Sequence, residues 1–91
     1  MKVTINLPTA LRSHCQDQKS VPSKASNVGD ALFGLAEEFP DVRSLLLDSD
    51  DRVLGYINVF VNDRNIRDLQ EMETTLGEGD EILIVPALAG G

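Results

Sequence analysis

The chain has 91 residues, of which 42% are hydrophobic and 25% charged, and its formal net charge is −7. That length accommodates one small domain, and the composition is that of a folded chain rather than a disordered one. The acidic balance repels a phosphate backbone, so nucleic acid is not an expected ligand; it fits docking on a basic patch of a partner protein, or serves solubility alone.

Val3, Ile5 and Leu7 alternate with Lys2, Thr4 and Asn6. This is the period of a strand with one face on a core. It opens the chain almost at once, with no apolar h-region of a signal peptide, so a soluble, cytoplasmic protein is expected. No apolar run approaches the ~20 residues that cross a bilayer. Pro8 and Thr9 end the strand. His14 and Cys15 follow. Cys15 is the only cysteine, which rules out an internal disulfide. Adjacent side chains on an extended segment point apart, so the pair makes a poor catalytic dyad and reads as loop. Gln18 to Ala25 is a weaker second strand, and Pro22 places it at an edge or a bend.

A helix comes next. Asn27 is a good N-cap, Asp30 adds negative charge to the first turn, and Val28, Ala31, Leu32, Leu35, Ala36 and Phe39 form one apolar stripe. Pro40 ends the helix, and Asp41 is expected to cap a short helical turn carrying Val42, Leu45 and Leu46. The acidic run Asp48-Ser49-Asp50-Asp51-Arg52 departs from a calcium loop. Arg52, Val53 and Val59 stand where an oxygen ligand, a glycine and a glutamate are required.

Tyr56 to Asn62 is a strong strand. Ile57, Val59 and Val61 share one face; Tyr56, Asn58, Phe60 and Asn62 share the other. Asn62 to Asn65 is turn chemistry, and Ile66 is expected to begin a short return strand. Gly77-Glu78-Gly79-Asp80 looks superficially like a phosphate loop, but a strand follows it, so no helix N-terminus is available to an anion. Glu81 to Pro86 is the last strand. Only Ala87, Leu88, Ala89, Gly90 and Gly91 remain.

This order predicts an α+β domain over residues 1–86: a mixed sheet of four to five strands with one main helix on one face. Residues 87–91 form a flexible tail. The carboxylates lie in turns and on polar faces. There is no metal-ligand cluster, nucleophile elbow or phosphate loop, so the chain reads as a carrier or binding module, not an enzyme, with no metal or cofactor of its own. One helix covers one sheet face. If Ile57, Val59, Val61, Ile82 and Ile84 meet it, then Tyr56, Phe60, Leu83 and Val85 are left as an apolar patch beside the tail, which either serves docking or is covered by the long loop between the helix and Tyr56.

The strand order and the ending Gly79-Asp80-Glu81-Ile82-Leu83-Ile84-Val85-Pro86, followed by Ala87-Leu88-Ala89-Gly90-Gly91, resemble the ThiS/MoaD family of ubiquitin-like sulfur carriers over essentially the whole chain. The resemblance implies a β-grasp (ubiquitin-like) fold. It also implies that the Gly91 carboxylate, presented with Gly90, is adenylated by an E1-like enzyme using ATP and magnesium and is then converted to a thiocarboxylate. From the apolar patch and the tail, partner contacts are expected for Tyr56, Phe60, Leu83, Val85, Pro86, Leu88 and Ala89, with Leu88 either anchoring the tail at a channel mouth or packing back on the sheet. The opening Val3 to Arg12, the stretch Asn58 to Asp63 and the closing residues are most similar to carriers that serve a cysteine synthase, which implies a PLP-dependent acceptor enzyme. The small subunit of molybdopterin synthase, the thiamin sulfur carrier and a ubiquitin-like modifier conjugated to lysines are the alternatives.

Overall fold

Strand β1 (Val3–Asn6) forms because its alternation lets Val3 and Ile5 enter the core while Thr4 and Asn6 face outward. The computed structural model describes residues 2–86. After β1 comes a helical turn, α1 (Thr9–Arg12), which the sequence reading missed. It buries Leu11, and the turn behind it buries Cys15 while leaving His14 exposed. The two residues therefore lie in a hydrogen-bonded turn rather than an extended segment, with the Cys15 N–H donating to the Arg12 carbonyl at 2.9 Å. Burial raises the Cys15 thiol above its ordinary pKa, and the Glu38 carboxylate adds to the effect. The thiol is thus held neutral and packs as a small apolar group.

Strand β2 (Ser20–Ser23) is shorter than the expected span from Gln18 to Ala25 and lies at the sheet edge, as Pro22 indicated. The main helix, α2, runs Val28–Glu38. The Asn27 side chain accepts from the Asp30 N–H at 2.8 Å and caps it. Val28, Ala31, Leu32, Leu35 and Ala36 are all buried along its stripe. Gly29 has a packing reason: a Cβ there would sit 3.0 Å from the Met72 carbonyl oxygen, so the helix approaches that backbone closely. Pro40 stops α2 and opens a 3₁₀ turn (Pro40–Val42), which continues as α3 (Arg43–Leu46). No side chain caps the 3₁₀ turn, so Asp41 does not act as expected. Val42 and Leu46 are buried, whereas Leu45 is exposed.

Strand β3 (Ile57–Val61) and the two-residue β4 (Arg64–Asn65) form a hairpin. Asn62 and Asp63 both have positive φ, at 49° and 76°. Two left-handed residues are what a tight two-residue turn requires, and Asn and Asp tolerate that conformation best among residues with a Cβ. The return strand therefore precedes Ile66. Ile66 instead starts a 3₁₀ turn (Ile66–Asp68) because the Asn65 side chain caps it, accepting from the Arg67 N–H at 2.9 Å. A further 3₁₀ turn covers Glu71–Glu73.

Strand β5 (Glu81–Pro86) lies at the centre of the sheet, whose order is β2-β1-β5-β3-β4. It runs parallel to β1, with Ile5 beside Ile82, and antiparallel to β3, with Val59 opposite Ile84. The parallel pair requires a crossover, and α2 lies within it. Ile82, Ile84, Val59 and Leu32 belong to one core between sheet and helix. The turn before β5 holds its own anion. The Asp80 carboxylate accepts from the Gly77 N–H at 2.7 Å and from the Asn62 amide at 2.8 Å. An amide that a phosphate would need is thus already occupied. Gly79 sits at φ 83°, where a side chain would be strained.

Candidate functional site

Strand alternation decides which side chains reach the face opposite α2. On β5, Ile82 and Ile84 are buried, so Leu83 and Val85 project the other way. On β3, Ile57, Val59 and Val61 are buried, which sends Asn58 and Phe60 outward. The register then joins the two sets, with Phe60 opposite Leu83 and Asn58 opposite Val85. Tyr56 immediately precedes β3, and Pro86 ends β5 opposite Ile57. Tyr56 is 46% exposed and Leu83 43%. Phe60, Val85 and Pro86 are half-buried.

The long connection from α3 to Tyr56 does not cover this face. Leu46 and Leu47 are buried in the core, and Val53 and Leu54 pack against it. A bridge between Leu47 and Val53 closes the loop on itself. Its acidic stretch is likewise self-contained, since Asp48 accepts from the N–H groups of Asp50 and Arg52 at 2.8 and 3.0 Å, and Arg43 pairs with Asp51. Among the described residues, no group of three or more His, Cys, Asp or Glu side chains is placed to hold a metal ion.

The structure thus brings together five of the residues singled out for partner contact: Tyr56, Phe60, Leu83, Val85 and Pro86. Leu88, Ala89, Gly90 and Gly91 lie outside the described residues. Polar groups border the apolar strip. At the β1 side, the Asn6 amide donates to Glu81 Oε1 at 2.9 Å, and Asn6 lies beside Leu83. At the β3 side, Asn58 Oδ1 accepts from Arg67 Nη1 at 2.6 Å. The part played by Arg67 was not legible in the sequence. Its contacts depend on a two-residue strand and a 3₁₀ turn whose boundaries no periodicity marks.

The ThiS family profile matches residues 5–91. The sulfur carrier protein CysO of Mycobacterium tuberculosis is 33% identical over 93 aligned residues, covering 100% of both chains. A chain of the Amycolatopsis orientalis BexX/CysO complex superposes with a TM-score of 0.89 at 32% identity, covering 98% of this chain and 99% of that one. Small archaeal modifier protein 1 of Methanosarcina acetivorans does so with a TM-score of 0.86 at 30% identity, covering 99% and 96%. The five-stranded mixed sheet with its packed helix is accordingly a β-grasp fold, and the chain belongs to the ThiS family of ubiquitin-like sulfur carrier proteins.

Proposed function

We propose that the chain carries sulfur on its C-terminal glycine and delivers it to an enzyme that makes cysteine. The observation that carries this reading is the uncovered apolar strip leading along β5 to Pro86, from which the sequence continues to Gly90-Gly91. A carboxylate is a poor electrophile. Its oxygen attacks the α-phosphorus of ATP, pyrophosphate leaves, and the Gly91 acyl group becomes an adenylate. A hydrosulfide then attacks the acyl carbon and AMP departs with the C–O bonding pair, leaving a thiocarboxylate. ATP and magnesium are bound by an E1-like adenylyltransferase, and pyridoxal phosphate by the acceptor. The carrier supplies the folded body that docks and the tail that reaches. From Pro86 to Gly91 is six residues, an extended span of up to about 20 Å. That reach threads a glycine end, lacking any Cβ, into a narrow site while residues 1–86 stay outside. The name of the CysO relative supports a cysteine-forming acceptor.

Incubation with an E1-like adenylyltransferase, ATP and sulfide is expected to raise the intact mass by about 16 Da, the replacement of one oxygen by sulfur at the activated acyl group. An unchanged mass, while a known carrier gains sulfur in a parallel reaction, contradicts the reading. A second reading, conjugation to lysines, draws on the likeness to a small archaeal modifier protein. It predicts stable adducts of higher mass in cell extract in place of the thiocarboxylate.

Docking has its own signature. Leu83→Asp places a charge in the middle of the strip, where binding would bury it. Affinity for the adenylyltransferase is expected to fall about 30-fold, equivalent to about 2 kcal/mol. The melting temperature should hardly move, because Leu83 is exposed in the free protein. Titration calorimetry and a thermal melt on the same samples separate the two effects.

A further inference from the structure

Strand β4 pairs only with Phe60 and Val61, so among the described residues no strand lies beside the outer edge of β3 before them. Arg67 occupies that gap. Its Nη2 donates to the carbonyl of Ile57 at 2.9 Å and lies 3.2 and 3.3 Å from those of Leu54 and Gly55. Its Nη1 donates to Asn58 Oδ1. Asn65 completes the arrangement. Its amide reaches the same Asn58 oxygen at 3.3 Å, while its own oxygen accepts from the Arg67 backbone N–H. The Leu54 carbonyl also accepts from the Ile57 N–H at 2.9 Å, which closes the turn leading into β3. A planar guanidinium spans several fixed acceptors at once; a lysine ammonium does so poorly.

The strand end held in this way carries Tyr56 and lies opposite Val85 and Pro86, the last described residues before the diglycine. We propose that Arg67 is a positioning residue that fixes this end of β3, and through it the end of β5 at Val85 and Pro86, from which the sequence continues to the diglycine. The consequence for activation rests on the sulfur-carrier reading; the clamp itself does not. A root that is already ordered leaves less freedom to lose when the partner binds. Loosening it weakens productive docking but leaves the acyl chemistry unaltered once Gly91 is seated.

The test compares the full-length protein with Arg67→Ala and Arg67→Lys. Arg67 is solvent-exposed and outside the core, so both variants are expected to fold. Amide exchange of Ile57 should accelerate about tenfold in Arg67→Ala, while that of Phe39, bonded to Leu35 in the α2 cap, stays unchanged. In ATP–pyrophosphate exchange with an E1-like adenylyltransferase, KM for the carrier should rise about fivefold at constant kcat, with partial recovery in Arg67→Lys. Unchanged Ile57 exchange overturns the clamp. Faster exchange with unchanged KM, or a fall in kcat alone, overturns the positioning role. If the wild-type protein is not adenylated at all, the sulfur-carrier reading fails, and the Ile57 and Phe39 amides alone decide the clamp.

Discussion

Removal of Gly91 is expected to abolish ATP-dependent activation while leaving the melting temperature unchanged. The new terminal carboxylate, on Gly90, would sit one residue short, a deficit of about 3.5 Å along an extended chain. Misplacement by ~1 Å already costs roughly 100-fold where a reaction depends on alignment of the attacking group. If the strip on β3 and β5 sets docking, as proposed, the shortened chain cannot recover the distance by sliding. Stability should be unaffected because the core is built from residues between Val3 and Ile84. ATP–pyrophosphate exchange and a thermal melt measure the two properties separately. Full activity in the truncated chain would move the chemistry away from the terminus.

The second large effect is on the fold. Ile84 and Leu83 are neighbours on the central strand and face opposite ways: Ile84 is fully buried and Leu83 is not. Ile84→Ala is expected to cost about 3 kcal/mol, from the lost transfer energy and the cavity left between sheet and α2. That is a large share of the roughly 5–15 kcal/mol that holds a domain of this kind. Leu83→Ala is expected to cost no more than about 0.5 kcal/mol. Urea unfolding of both variants checks the pair. Equal costs would mean that the face opposite α2 is covered.

That contrast was legible in the sequence, because a period of two on β3 and β5 separates inward from outward residues without knowledge of the partners. The α2 stripe and its Asn27 cap were legible for the same kind of reason: each signal is local and repeats. What stayed hidden depends on contacts distant in sequence. Thr9–Arg12 is too short to show a helical period, so Leu11 and Cys15 were not seen to join the core. The hairpin turn at Asn62 and Asp63 was recognised, yet its two-residue length was not. This put the return strand at Ile66 instead of Arg64–Asn65. The sequence marks Asp80 only as part of a turn, while in the structure its carboxylate ties that turn to Asn62. On the face opposite α2, the residue types and alternation placed Tyr56, Phe60, Leu83 and Val85 in one apolar strip. The bordering contacts of Asn6 and Arg67 emerge only from the sheet register and the 3₁₀ turn.

The central claim is that Gly91 carries the sulfur. Fragmentation of the intact, sulfur-loaded protein in the mass spectrometer tests it most directly. The gain of about 16 Da, sulfur for oxygen at the activated acyl carbon, is expected in the fragment containing Gly91 and in no fragment ending before it. Sulfur located on Cys15, or anywhere within residues 1–86, would contradict it.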